Sequence, residues 1–593
     1  MESSSFSLFP RSSASESSSL NEAWMAARLA VNVEVLSYYA ISLTALIAIF
    51  IVGHWTRRLA WSVSQFMILY PIVALTRATR RALLRHIFGF TSIGHAILVL
   101  VFVGLNALFS FYRIDFSKAS NLAARFGWMA TGNLAFVVFL ALKNTPLAIL
   151  TVYSYERLNC LHQIAGYTTL LYAILHASLY TYYFMTTGKT YILHEDVVTA
   201  GIVLGFAMFF TVFAGLTLQR AKYELFYIIH LALFVVIVVT LGLHRPNLES
   251  DKTLIATIVI ASLWVSDRLI RIARLAYNSI NNEAMVFPLP NGGTRVVIKK
   301  PITRARPGKH CYVWVPHIRS FETHPFTIVA SEPMELIINT HSGFTRDLHQ
   351  YASQNPGTNL RVSVEGPYGT SPDPMEYDKV VLVAGGSGAT FTIGLAADMI
   401  RRLSPDSGKQ IEFIWVSRSH ESIEWFTQHL QDLLTHECAP KIGLKIHLTR
   451  VKTITKIAKV ARIPRLSSQI FAVIESKPDS NSEKGFNSSR LSTEASSVAV
   501  RDEDPEKHDT ISIVESIAAV PSTAGGLNIP IRYGRPDIES SVREAIVSVS
   551  KNKRVLVAAC GPTGLVNTVR NTTARCISVD GPSVELHCEQ FGW

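Results

Sequence analysis

The chain has 593 residues, 49% of them hydrophobic, and a mean hydropathy of +0.25. That is too apolar for an ordinary soluble protein of this size, and the length suggests about three or four domains. The net charge of +12 calls for no nucleic-acid partner, because much of it lies in short loops beside apolar runs, as membrane proteins carry it on their inner face.

Residues 1–33 form a polar, Ser-rich tail without a basic start and apolar core. No cleavable signal peptide is expected, and the first apolar run should act as an uncleaved anchor. Residues 34–276 hold seven runs long enough to cross a bilayer, centred on 35–52, 92–111, 128–142, 161–184, 198–216, 224–243 and 254–265. The loop 54–91 carries Arg57, Arg58, Arg77, Arg80, Arg81 and Arg85 and no acidic residue, which assigns it to the cytosol. Alternation then puts 143–157, 220–222 and 268–274 inside as well, and the N-terminus outside.

Two of these runs each carry a pair of histidines 14 residues apart, His162 with His176 and His230 with His244. At about 100° and 1.5 Å per residue, 14 steps return to within about 40° of the starting direction and rise about 21 Å. Each helix then presents two imidazoles on one face, near opposite sides of a bilayer core about 30 Å thick. Side by side, the two helices make a cage for two bis-histidine b-type haems and an electron path across a membrane. The topology pairs His162 with His230 as the inner site and His176 with His244 as the outer one. His95 has no partner at this spacing and reads as a structural hydrogen-bonding residue.

After about residue 277 hydropathy falls. Strands are expected at 296–299 and 312–315 around a turn at Pro307-Gly308. Within 280–375 stand His324-Pro325-Phe326-Thr327, Gly343-Phe344-Thr345-Arg346 and Glu365-Gly366-Pro367-Tyr368-Gly369. A Gly-x-Thr that opens a helix offers backbone N–H groups to a pyrophosphate, and Arg346 adds a positive charge.

Residues 376–593 open with a buried-strand run, 379–384. It leads into Gly385-Gly386-Ser387-Gly388-Ala389-Thr390 and a helix over 391–401. A strand, a Gly-rich turn and a helix N-terminus make an anion cradle. A second strand, 411–416, ends at Ser417-Arg418, where a 2′-phosphate would be bound, which favours NADPH over NADH. A last strand, 555–559, runs into Cys560-Gly561-Pro562, and strand-like 584–587 precedes the terminal Trp593. About 475–527 interrupts this domain with serine and charge and reads as a disordered insertion open to phosphorylation. The other five cysteines show no metal spacing and read as small buried hydrophobes.

In order, the paired histidines, HPFT, AGGSGAT, WVSR with EWF, GRP and CGP resemble the fungal ferric reductase family, within the larger ferric reductase and NADPH oxidase superfamily. The likeness covers about 34–593, less the insertion. It implies an α-helical transmembrane haem domain of about seven helices, then a cytosolic ferredoxin–NADP reductase-like module. That module has a β-barrel FAD domain and an α/β Rossmann-like NADPH domain. It implies FAD, two b-type haems and NADPH as cofactors. On this resemblance His324, Pro325, Phe326 and Thr327 line the isoalloxazine, and Gly343, Thr345, Arg346 and Gly366 complete the flavin site. Gly385, Gly386, Gly388, Thr390, Arg418, Gly561 and Pro562 bind the nucleotide. Cys560 lies beside the nicotinamide, and Trp593 covers the flavin until nicotinamide displaces it.

The resemblance also implies an extracellular ferric chelate as acceptor, with cupric ion as a second one and a functional link to iron uptake. The expected location is the plasma membrane, with the vacuolar membrane as alternative. NADPH gives two electrons as hydride and a haem takes one, so a flavin must stand between them. Two rivals differ in class. An NADPH oxidase would hand the outer electron to oxygen, but its second histidine pair is typically one residue closer and it lacks the extra first span. A non-enzymatic sensor or scaffold would not need every histidine and the flavin motif, and all are present. His194, Glu195 and Asp196 in an outer loop read as ordinary solvated residues.

Overall fold

The computed structural model describes residues 12–63, 70–151, 154–245, 251–450 and 531–589. The stretch read as an insertion and the terminal Trp593 lie outside the described residues.

The first part of the chain is helical: α1 (Ser12–Val63), α2 (Tyr70–Leu83), α3 (Ile93–Phe111), α4 (Ala119–Ala141), the single-turn α5 (Pro146–Leu150), α6 (Tyr155–Thr186), α7 (Asp196–Thr217), α8 (Tyr223–Leu243) and α9 (Lys252–Ser279). Among the described residues six helices are long and apolar enough to cross a membrane: those containing 23–56, 93–111, 119–141, 196–217, 223–243 and 252–279. The seventh long helix, α6, has 32 residues, about 48 Å of helix, and carries His162 and His176. Its threonines and tyrosines lower its hydropathy; Thr168 and Thr169 return their hydroxyls to carbonyls four residues back.

Two boundaries differ from the sequence reading. Helix α1 begins at Ser12, inside the stretch read as a polar tail; Ala, Met, Leu and Arg after residue 22 are strong helix formers. Helix α4 begins at Ala119 rather than near 128. Arg125 had broken the apolar run, yet it is 1% exposed and fully engaged. It donates to Asn32 Oδ1 at 2.7 Å and to the carbonyls of Phe109 and Tyr112 at 2.9 and 2.8 Å. A buried network of Tyr39, Asn106 and Asn133, with bonds of 2.7 to 3.1 Å, ties α1, α3 and α4 together.

Two sheet domains follow. Strands β1 (Glu283–Leu289), β2 (Gly293–Ile298), β3 (His310–Trp314), β4 (His324–Ser331) and β5 (Met334–Asn339) lead to α10 (Phe344–Gln354), β6 (Asn359–Arg361) and β7 (Ser363–Tyr368). They form an antiparallel sheet in the order β6-β1-β2-β5-β4-β3-β7. Its interior is filled by Val286, Val296, Ile298, Ile328 and Leu336, all nearly unexposed.

The last domain is β8 (Lys379–Gly385), α11 (Ala389–Arg402), β9 (Gln410–Ser417), α12 (Glu421–Glu424), α13 (Thr427–Thr435), β10 (Ile442–Leu448), β11 (Ile531–Tyr533), α14 (Ile538–Val547), β12 (Arg554–Cys560), α15 (Thr563–Cys576) and β13 (Ser583–Glu589). Its parallel sheet runs β11-β10-β9-β8-β12-β13. The runs Val380–Ala384 and Val555–Cys560 are continuously buried, as expected for strands covered on both faces.

Three of the segments read as inside, and Glu224 just past the fourth, lie against the two sheet domains. Arg77 of α2 donates to the carbonyls of Ser578, Val579 and Gly581 at 2.8 to 2.9 Å. Lys143 sits over the Tyr312 ring at 3.4 Å. Glu224 of α8 packs against Gly343, and Arg271 of α9 grips Glu365. The helical domain therefore turns one end to the two sheet domains, and that end carries His162 and His230.

Candidate electron-transfer site

The four histidines meet as two pairs. The rings of His162 and His230 have centroids 6.3 Å apart, and those of His176 and His244 are 6.0 Å apart. Three of them hold Nδ1 on a backbone carbonyl: His162 on Val137 at 3.0 Å, His176 on Ala123 at 2.9 Å and His244 on Val197 at 2.7 Å. Such a bond keeps the proton on Nδ1 and leaves the Nε2 lone pair free. The Nδ1 of His230 has no partner among the described residues. A metal bound to two imidazole nitrogens at about 2 Å each separates the ring centres by about 6 Å, and both gaps fit. His244 is the C-cap of α8 rather than a helical residue, so the 14-residue spacing holds even though the last ligand lies just past the helix end.

Two glycines make room for the outer pair, and the sequence reading missed both. A Cβ on Gly127 of α4 would lie 2.6 Å from His176 Nδ1, and one on Gly201 of α7 would run into the His244 ring. Their only sequence signal is a glycine inside an apolar helix; the facing histidine sits on another element.

The flavin motifs converge on one end of the barrel. Strand β3 lies between β4 and β7, with His310 in register with Thr327 on one side and Tyr368 on the other. His324 stacks on Phe344 at 4.5 Å and 14°. Burial holds the His324 imidazolium below its ordinary pKa, and Glu322 offsets this only in part. Pro325 and Phe326 follow on β4, and Thr327 is buried. Gly343, with φ +72°, caps the N-terminus of α10, a conformation that a side chain would strain. Thr345 Oγ1 accepts from His341 N at 2.8 Å and so closes that turn. Arg346 stands exposed at the same helix end and is paired with Asp347 at 3.2 Å, which Arg319 also holds at 2.6 Å. Gly366, at the end of β7, has φ +146°.

In the nucleotide domain two strand–helix turns touch backbone to backbone. A Cβ on Gly385 would sit 2.6 Å from Pro562 Cδ. One on Gly388 would strike the carbonyl of Cys560, and one on Gly561 would lie 2.9 Å from Gly385 Cα. Gly386 takes φ +58° in the turn, and Thr390 Oγ1 donates to Ser387 O at 2.9 Å. Cys560 is 1% exposed at the head of this contact. Burial, with Glu589 and Cys588 beside it, pushes its thiol well above the ordinary range, which favours the neutral thiol over the thiolate.

Arg418 is exposed beyond the end of β9. Ser417, Leu448 and Tyr533 stand in register. Arg418, Arg450 and Arg535 therefore follow the C-terminal ends of three adjacent parallel strands, the edge where such sheets bind ligands. The sequence reading gave a phosphate role only to Arg418 and quoted Arg535 within the GRP motif; the grouping of the three depends on sheet order.

Long apolar helices that hold paired histidines are thus followed by an antiparallel sheet and a parallel sheet with a Gly-rich turn. Three family models match in that order. They are "Ferric reductase like transmembrane component" at 126–241, "FAD-binding domain" at 282–372 and "Ferric reductase NAD binding domain" at 377–574. The chain belongs to the ferric reductase family. It is 25% identical over 492 residues to "Ferric reductase transmembrane component 5" of Saccharomyces cerevisiae, covering 79% of this chain and 61% of that one. It is 24% identical over 510 residues to "Ferric/cupric reductase transmembrane component 2" of the same yeast, covering 82% and 64%. To "Probable cell surface ferric reductase kap2" of Aspergillus oryzae it is 29% identical over 396 residues, covering 60% and 52%. The matched region thus spans between half and two-thirds of these relatives' length.

Proposed function

We propose that the protein passes electrons from cytosolic NADPH through FAD and two b-type haems to an extracellular ferric chelate, with cupric ion as a second acceptor. The observation that carries this reading is the position of the inner histidines. His162 lies seven residues after Tyr155, whose hydroxyl is 2.6 Å from that of Tyr312 in the flavin barrel. His230 lies six residues after Glu224, whose carboxylate is within 4.8 Å of the His324 ring and Glu322. Both inner ligands are thus about two helical turns from the flavin motifs.

When bound, flavin accepts hydride and releases electrons singly, and haem iron carries one at a time. The chain's residues do the rest. The β4 motif would line the flavin ring, and the N–H groups at Gly343 would face its pyrophosphate. The glycine contact around Gly388 and Cys560 brings the nucleotide backbone close. The strand-end arginines read its phosphates. Each histidine pair would hold one haem iron, and Nδ1 bonds to backbone carbonyls orient His162, His176 and His244 for it. Reduction at the outer edge needs no acid or base.

Plasma membrane is the proposed location, supported by the name of the Aspergillus relative, with the N-terminus outside and a functional link to iron uptake. The test is external ferric-chelate reduction by cells expressing the chain, with superoxide assayed in parallel. Iron reduction with little superoxide is expected. Superoxide without direct iron reduction would move the protein to the oxidases.

Two further outcomes follow. Gly127→Ala should displace His176, lower haem content toward half and cut ferric reduction by about tenfold or more. Unchanged haem content would contradict the tight fit. Arg418→Ala should lower the preference for NADPH over NADH by about tenfold, because a charge-assisted phosphate contact is lost. An unchanged preference would remove Arg418 from the site.

A further inference from the structure

The first turn of α6 holds both halves of the reductase with three consecutive side chains. Tyr155 shares a 2.6 Å hydrogen bond with Tyr312 and stands 3.1 Å from His310 Nε2. Glu156 Oε1 is 2.7 Å from the same nitrogen. Arg157 Nη2 reaches His587 Nδ1 at 3.1 Å and Glu589 at 3.9 Å. His310 sits between the two flavin-motif strands, in register with Thr327 and Tyr368. His587 stacks on Phe391 at 5.7 Å, at the start of the helix that follows the Gly-rich turn. One turn of one helix therefore contacts both the flavin and the nucleotide elements. The same helix carries His162.

These contacts are poorly solvated. The side chains of His310 and Glu156 are 11% and 20% exposed, and His587 is 2% exposed. A polar contact in such a place holds its geometry, because removing one partner leaves the other polar group buried and unmatched. The contacts of Tyr155 and Glu156 fall on the flavin barrel, and Arg157 reaches Glu589, the register partner of Cys560.

Resting on the electron path proposed above, we propose that Glu156 and Arg157 are positioning residues for the step from flavin to the inner histidine pair, and not for the hydride step from NADPH to flavin. The hydride step is set within the reductase. The electron step crosses the domain boundary, and its rate falls steeply with edge-to-edge distance.

The experiment uses purified full-length protein, anaerobic, mixed rapidly with NADPH. Flavin bleaching and b-haem reduction are followed separately in the parent, Glu156→Gln and Arg157→Met. Amide hydrogen exchange over 310–314 and 583–589 is measured on the same samples. In the variants haem reduction should slow about tenfold, since a misplacement near 1 Å suffices. Flavin bleaching should stay within about twofold, and exchange should rise in both segments. Glu156→Asp should recover part of the haem rate. Equal slowing of both steps would overturn the proposal, as would raised exchange with an unchanged haem rate. A parent protein whose flavin bleaches while no b-type absorbance is reduced would instead overturn the electron path itself.

Discussion

His176→Ala should cut external ferric-chelate reduction by about a hundredfold, while NADPH-driven reduction of a soluble dye at the flavin stays within about twofold. The outer site has two nitrogen donors facing one another, with ring centroids 6.0 Å apart. The nearest ring to His176 is Tyr180 at 5.1 Å, and a phenol cannot replace a neutral imidazole as partner to His244. Alanine removes one of the two nitrogen donors that would hold the outer haem, so that haem should be lost and the haem-to-flavin ratio should fall toward half. The flavin dye reaction does not pass through this site, which separates loss of the path from loss of the fold. Ferric reduction near the parent's rate in this variant would contradict the role given to His176.

The second large effect is expected from Gly388→Ala. A Cβ there meets the backbone carbonyl of Cys560 and lies 3.1 Å from Gly561 N. Backbone cannot rotate away as a side-chain end can, so the two turns must separate. Overpacking of this kind costs about 1–3 kcal/mol, and it falls where the nucleotide must bind. NADPH-driven dye reduction should drop about a hundredfold, with both haems still bound and the melting temperature lowered by a few degrees. Gly564→Ala is the control, since a Cβ there has nothing within 4 Å, and dye reduction should be nearly unchanged. Full activity in Gly388→Ala would show that the contact does not shape the nucleotide site.

Much of this was legible in the residues alone, for identifiable reasons. The apolar run at 161–184 and the histidine spacing within it both pointed to α6, and the spacing added which face would carry ligands, because ligand geometry is fixed by helix rise. The strands at 379–384, 411–416 and 555–559 were found because continuous apolar runs have little alternative in a covered parallel sheet. The start of α4 was not, because Arg125 becomes acceptable only through Asn32 and two carbonyls on other elements. Gly127 and Gly201 matter for what faces them across a helix interface. The dock at Tyr155, Glu156 and Arg157 was hidden for the same reason: His310 and His587 come from strands more than 150 residues away in sequence. Local pattern reaches the motifs, whereas the contacts that align them depend on tertiary order.

The most direct test of the electron path is an anaerobic spectrum of the purified protein. NADPH is added first and a ferric chelate second, with haem and flavin quantified in the same sample. Two b-type haems per flavin, reduced by NADPH and reoxidised at once by the chelate, is the expected result. In His176→Ala one haem should remain, reducible by NADPH but not reoxidised at the parent's rate. A flavin that reduces the chelate directly, with haem absent or unchanged throughout, would contradict the path.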